Sequence, residues 1–225
     1  LYATDIAKKN DRLTIGNLDL KPEKNNYFSL SAEYVHERFS VSVNAFYNNI
    51  RDMIDYNTIA TGDKAMEQYG HKEVRQRDNI AEAKVHGINV SANAYLGAGF
   101  NLSGGYTHLN TQDVELEQPI DKSIKNAYNI NAQWAHSWKI YRLNINLNGR
   151  INSKRFSKSY GYAPEYQLWD LNTRHSFNLK SVIIEPGCGM ENLFDYMDDR
   201  PYNSNYATLT PGRSFYINLS LKFKS

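Results

Sequence analysis

The chain has 225 residues, 22% of them charged, with a net charge of +2, a mean hydropathy of −0.64 and a single cysteine. No apolar run approaches the roughly 18 residues of a membrane-crossing helix, the lone Cys188 excludes a disulfide scaffold or a cysteine-rich zinc module, and the near-neutral balance gives no general case for nucleic acid binding. The aromatic share of 13% is too high for a disordered chain.

Hydropathy alone would fit a soluble β protein, but the pattern along the chain carries more. Successive side chains of a strand point to opposite faces, so apolar residues at every second position mark a strand with one polar side. This alternation predicts nine strands, at about 26–35, 39–50, 80–96, 100–110, 125–136, 139–152, 166–178, 182–193 and 213–223. The first sets Phe28, Leu30, Ala32 and Tyr34 against Ser29, Ser31 and Glu33. In the third, Ile88, Val90, Ala92, Ala94 and Leu96 oppose Asn89, Ser91 and Asn93. The sixth has Tyr141, Leu143, Ile145, Leu147, Gly149 and Ile151 on one face, with Arg142, Asn144, Asn146, Asn148, Arg150 and Asn152 on the other. Pro186 and two glycines interrupt the eighth, and the ninth alternates Phe215, Ile217, Leu219, Leu221 and Phe223 with polar residues. No segment carries a helical face of useful length. Strands this long exceed the usual 5–6 residues of globular sheets and suit the roughly 9–11 residues of a tilted transmembrane strand.

The connections alternate in length. Short links at His36–Arg38, Gly97–Gly99, Ser137–Trp138 and Leu179–Ser181 are separated by long ones at Arg51–Asn79, Thr111–Ile124, Ser153–Glu165 and Phe194–Gly212. Outer-membrane barrels have short periplasmic turns and long extracellular loops, with aromatic girdles at both interfaces. Tyr34, Phe39, Tyr95, Phe100, Trp134, Trp138 and Phe223 end the apolar faces accordingly. The fold class expected is therefore all-β, an antiparallel transmembrane β-barrel, with a periplasmic C-terminus and residues 1–25 in an outside loop. A bacterial barrel has an even number of strands and both ends in the periplasm. Nine strands starting outside break that parity, so 1–225 is expected to be the C-terminal portion of a larger barrel.

Two motifs bracket the chain. Gly16-Asn17-Leu18-Asp19-Leu20-Lys21-Pro22-Glu23 resembles the G-N-P-x-L-K-P-E loop of TonB-dependent outer-membrane receptors. Asn192-Leu193-Phe194-Asp195, Arg200-Pro201-Tyr202 and Pro211-Gly212-Arg213 resemble that family's closing N-L-F-D…P-G-R hairpin. Leu18 departs from the usual Pro, which weakens a haem-receptor assignment, and Lys224-Ser225 follow the Phe that is normally last. The resemblance implies a roughly 22-stranded barrel filled by an N-terminal plug, of which this chain supplies the last nine strands. It also implies partners: the plug and remaining strands, the TonB energy-coupling protein acting through the plug, outer-membrane lipid and lipopolysaccharide, and a small nutrient. Ferric siderophores, cobalamin, haem and oligosaccharides are the cargo classes, the last usually with a surface lipoprotein. The family imports without covalent chemistry and no cofactor is implied.

Candidate site residues fall in three groups. Arg142, Asn144, Asn146, Asn148 and Arg150 should face the lumen, lining the path or contacting the plug; any lumenal wall is polar, however. Lys154, Arg155, Tyr160 and Tyr162, with Lys158 and Phe156, would suit an anionic, ring-bearing ligand, or equally lipopolysaccharide phosphates and solvent. Tyr196, Arg200, Tyr202 and Tyr206 offer anchors that lose little entropy, although Arg-Pro-Tyr and Pro-Gly are also turn chemistry. Asp195, Asp198 and Asp199 lack the full calcium-loop pattern, and His71 in the longest loop is a candidate iron ligand or a solvated side chain. His108 and His136 suit an interface. The sequence has no H-E-x-x-H, G-x-S-x-G, Walker or dinucleotide motif, so no enzyme is expected. The sequons at Asn89, Asn101 and Asn218 lie inside strands. A self-contained porin or adhesin and a soluble lectin-like sandwich are the competing classes; the sandwich would bury its apolar faces in protein.

Overall fold

A computed structural model of the chain describes residues 7–9, 11–158, 160–198 and 211–224. The strands are β1 (Ala7–Lys9), β2 (Arg12–Ile15), β3 (Lys24–Val35), β4 (Phe39–Thr61), β5 (Glu73–Gly97), β6 (Phe100–Asp113), β7 (Asn126–Trp138), β8 (Tyr141–Asn152), β9 (Arg155–Ser157), β10 (Gly161–Ala163), β11 (Tyr166–Asn178), β12 (Val182–Glu191) and β13 (Ser214–Phe223). A single helix, α1 (Gly62–Tyr69), lies between β4 and β5. Eleven strands form one sheet in the order β1-β2-β5-β6-β7-β8-β11-β12-β13, with β4 also on β5 and β3 on β4; β9 and β10 pair separately. All nine predicted strands are present.

The registers confirm the predicted faces. Along β8, Asn148 stands opposite Asn131 of β7 and Asp170 of β11, while Ile145 stands opposite Trp134 and Thr173. The polar and apolar rows therefore continue across neighbouring strands. The apolar row is exposed even on strands paired on both sides: Leu96 is 65% accessible, Phe100 49% and Trp138 45%. Among the described residues the only buried apolar side chains are Ala65, Val74, Ala83, Ala163 and Leu168. A soluble sandwich would bury the apolar rows between its sheets. This wall instead presents them outward, as lipid-facing strands do.

Four expectations are corrected. Residues 51–79 are not mainly loop: β4 and β5 run 23 and 25 residues, more than twice the roughly 9–11 that a crossing needs. A strand needs no apolar row beyond the length of a crossing, because outside hydrocarbon both of its faces meet water. Between them α1 ends at Gly70, whose left-handed φ of 67° lets its N–H bond Met66 O. Its eight residues were missed because so short a helix shows little periodicity. Finally, the β7–β8 turn is Lys139-Ile140 rather than Ser137–Trp138, with Lys139 at φ 39°. Trp138 stays in the strand and stacks on Tyr141 at 5.5 Å. The predicted loop 111–124 is also shortened, since β6 continues to Asp113, which bridges back to Gln118. Pro186 is accommodated in β12, whose ladder with β11 lapses between Arg174↔Gly187 and Phe177↔Ile184. Proline has no N–H to donate there.

The chain divides into two units, 1–28, 47–86 and 111–120, and 29–46, 87–110 and 121–225. In the first, Glu73 accepts Arg12 Nε at 2.7 Å and also pairs with Arg75. The bonds to Arg12 and then Arg75 hold its carboxyl below its usual 4.5. A depressed carboxyl contributes stability above the ordinary value and loses it as pH falls through the lowered one. Acidification below about 4.5 is therefore expected to raise hydrogen exchange over 12–15 and 73–76, where β2 lies parallel to β5. Glu73→Gln should show raised exchange already at neutral pH and no further rise on acidification. A wild-type-like acid response in that variant would contradict the assignment.

Candidate functional site

The predicted lumenal row is a connected polar face. Asn131 Nδ2 donates to Asn146 Oδ1 at 2.7 Å and to Asn148 Oδ1 at 2.6 Å, and Gln133 Nε2 donates to Asn144 Oδ1 at 3.0 Å. The same face continues through Thr107 to Asn89 at 2.9 Å, Ser42 with Ser91 at 2.7 Å, and Asn44 to Ser31 at 2.8 Å. Each amide can donate and accept at once, so such a row satisfies itself without fixed charge. Arg150 lines two cavities. One, of about 320 Å³, also holds Asn148, Asp170 and Glu191; the other, of about 330 Å³, holds Asn44, Asn89 and Thr107. Arg142 closes the row, opposite Ser137 and Ser176.

The second predicted group is only partly gathered. Phe156 and Tyr162 face each other across the β9–β10 hairpin, ring centroids 5.3 Å apart and nearly perpendicular. Tyr160 and Tyr162 are exposed, as is Lys154, and Arg155 sits in the strand bridged to Ile124. The hairpin is fixed by its backbone: Lys122 N donates to Phe156 O, Phe156 N to Ser123 O, and Lys158 N to Asp121 Oδ1 at 2.8 Å. Tyr196 stacks on Tyr166 at 5.8 Å and helps line a cavity of about 530 Å³ with Asn152, Glu165 and Gln167. Arg200, Tyr202 and Tyr206, like Asp199, lie outside the described residues.

In the first unit the structure shows a cluster that sequence reasoning missed. Arg77 Nη2 donates to Tyr56 Oη at 2.8 Å with its guanidinium 4.7 Å from the ring centroid, and Arg75 lies 5.8 Å from the same ring. Two guanidiniums against one aromatic ring, Arg75 also paired with Glu73, form a cationic and aromatic cluster. The i, i+2 spacing of Arg75 and Arg77 on one strand face was the signal available; the segment was read as loop.

Both sequence motifs prove to be structural clasps. Asn79 Oδ1 accepts Lys21 N at 2.8 Å, and its Nδ2 donates to Lys21 O at 2.9 Å and Asp52 O at 2.6 Å. Glu23 accepts Ile54 N at 2.9 Å, and Lys24 pairs with Asp52, a left-handed residue at φ 57°. The 16–23 segment is thereby fastened at the start of β3. In the closing motif, Asn192 Oδ1 accepts Tyr196 N at 2.8 Å, and its Nδ2 reaches Tyr196 O at 2.7 Å and Pro211 O at 3.2 Å. Asp195 Oδ1 accepts Arg213 N at 2.7 Å. Asp195 is therefore engaged in the hairpin, and no group of three or more His, Cys, Asp or Glu among the described residues could hold a metal ion. The histidines are scattered: His108 bonds Asn126, His175 bonds Tyr141, His136 lies between Trp134 and Trp138, and His71 Nδ1 is shielded from solvent.

Residues 2–193 match the family model described as TonB dependent receptor-like, beta-barrel. The chain belongs to the TonB-dependent receptor β-barrel family. It is 28% identical over 162 residues to the probable TonB-dependent siderophore receptor PiuA of Acinetobacter baumannii, covering 64% of this chain and 21% of that protein. Its fold is similar to the siderophore receptor PirA of A. baumannii (TM-score 0.69, 18% identity, 94% of this chain and 33% of that one). It is similar too to a mutant of the ferric enterobactin receptor PfeA of Pseudomonas aeruginosa (TM-score 0.67, 20% identity, 94% and 32%). The chain thus spans about a fifth of the curated relative and a third of the solved receptors. Its long strands are part of the wall of an outer-membrane TonB-dependent receptor barrel, with the amide row on one face and the exposed apolar row on the other.

Proposed function

We propose that the whole protein, with this chain as the C-terminal barrel portion, is an outer-membrane receptor that binds a ferric siderophore outside the cell and imports it into the periplasm. The reading rests on the combination of family and wall: a receptor-barrel sequence whose apolar row faces outward and whose opposite face is a continuous polar row. Further strands would cover the free edges of β3 and β13, because unpaired backbone groups are untenable in hydrocarbon. An N-terminal plug coupled to TonB would pack against the amide row, and the short turns would face the periplasm.

The ligand class is supported by the cationic and aromatic cluster of Arg75 and Arg77 on Tyr56 in the first unit. A ferric catecholate complex is anionic and aromatic-rimmed, so it complements that cluster through charge and ring contacts. The test is titration of the full-length receptor with ferric enterobactin, ferric hydroxamates, cyanocobalamin and haemin. Saturable binding of a ferric siderophore is expected, with Arg77→Gln weakening it about tenfold, the scale of one lost charge-assisted hydrogen bond. Binding of cobalamin or haemin alone would overturn the cargo assignment.

A further inference from the structure

Two turns and the segment after β13 meet at one rim of the second unit. Asn178 N donates to Ile140 O at 2.7 Å, which joins the Lys139-Ile140 turn to the end of β11. Lys224 N donates to Ser181 O at 3.0 Å, and Lys224 Nζ donates to Leu179 O at 2.6 Å, which joins the segment after β13 to the β11–β12 turn. Lys139, Lys180 and Lys224 are brought to one edge, all exposed. Arg142 and Lys222 lie close by in sequence. The described residues of these ends, 137–142, 178–182 and 222–224, include no carboxylate. The nearest on these strands, Glu185, is held by Lys222 at 2.7 Å.

The same rim is apolar on the lipid-facing side. Ile140, Leu179 and Phe223 are exposed, and Trp138 stacks on Tyr141, which packs against Phe177 at 5.0 Å. Trp138 also meets Trp134 edge-on at 6.2 Å. Trp134, held by its Nε1 bond to Ala98 O at 3.1 Å, opens a trough of about 570 Å³ lined by Phe100, Leu102, Ala132, Ile145 and Leu147. Ala132 is the smallest side chain in its lining.

We propose that this rim binds an anionic phospholipid, its phosphate headgroup on Lys139 and Lys180 and one acyl chain in the trough below Trp134. A cationic edge bordering a hydrocarbon-facing groove selects a ligand that is both anionic and tailed. Lysines near an anionic lipid surface each strengthen binding severalfold, and their long stems let the ammonium reach the headgroup while the methylenes stay on apolar surface. Lys224 has a different part, since its ammonium already ties the hairpin ends together. The inference rests on the proposed orientation only for which leaflet supplies the lipid, the inner one.

The test is native mass spectrometry of the detergent-purified full-length receptor with equimolar phosphatidylglycerol and phosphatidylethanolamine. The wild type retains phosphatidylglycerol preferentially. The exposed-turn double variant Lys139→Gln/Lys180→Gln loses that preference on the order of tenfold, with ferric siderophore binding unchanged. Ala132→Phe, which fills the trough without altering charge, lowers retention of both lipids. Equal retention of the two lipids by the wild type, or an undiminished preference in the double variant, overturns the proposal. So does loss of preference with acyl retention untouched by Ala132→Phe. Orientation is read separately: Lys180→Cys in a Cys188→Ser background should escape an impermeant thiol reagent in intact cells. Labelling there would reverse the leaflet and the proposed topology without altering the lipid selectivity measured in detergent.

Discussion

Ile145→Arg should nearly eliminate folded receptor from the outer membrane, whereas Asn146→Arg, one residue along β8, should leave most of it in place. Ile145 lies between Trp134 and Thr173 on the apolar face and lines the trough. A guanidinium there has no partner and meets hydrocarbon, at a cost of about 2–4 kcal/mol near the midplane. That is a large share of a typical folding free energy of roughly 5–15 kcal/mol. Asn146 points the other way, and its change loses one hydrogen bond, the 2.7 Å contact from Asn131, at about 1 kcal/mol. Heat-modifiable mobility of membrane fractions measures both. Equal abundance of the two variants would falsify the assigned facing.

Asn192→Ala is expected to destabilise the closing hairpin by about 3 kcal/mol, through lost hydrogen bonds that each contribute about 1 kcal/mol and a left-handed backbone that Ala adopts poorly. Asn192 is 4% exposed at φ 52°, and its amide bonds Tyr196 N, Tyr196 O and Pro211 O. Its own N–H is held by Asp170 Oδ1 at 2.9 Å. Limited proteolysis should then cut the segment after β12 while the rest of the wall resists, and the urea midpoint of the full receptor should fall. The exposed Lys154→Gln should stay within about 0.5 kcal/mol of wild type. A midpoint for Asn192→Ala equal to that of Lys154→Gln would show that the motif does not hold the hairpin.

The two outcomes probe different links between sequence and structure. Ile145 was legible at once, because a wall between lipid and a polar space must alternate at every residue, and only the partner strands were needed to confirm it. The 192–195 motif was visible as a pattern, but its work was not: the groups it satisfies lie up to nineteen positions away. The ends of β4 and β5 were illegible for the opposite reason to β8. Once a strand leaves the hydrocarbon, neither face must be apolar, and the left-handed Asp52 breaks what alternation remains. Arg75, Arg77 and Tyr56 were missed with them, since a segment read as loop offers no shared face on which to place two arginines.

The sequence by itself determined the nine long strands, the apolar and polar rows, three of the four short turns and the family motifs, because each follows from local geometry at period two or from contiguous residues. Tertiary structure decided what those motifs do, how far the strands extend, and which charged groups meet, as at Tyr56 with Arg77 or at the rim of Lys139, Lys180 and Lys224. Those depend on register between strands, and register is set by pairing across the sheet, where residues far apart in the chain share one face.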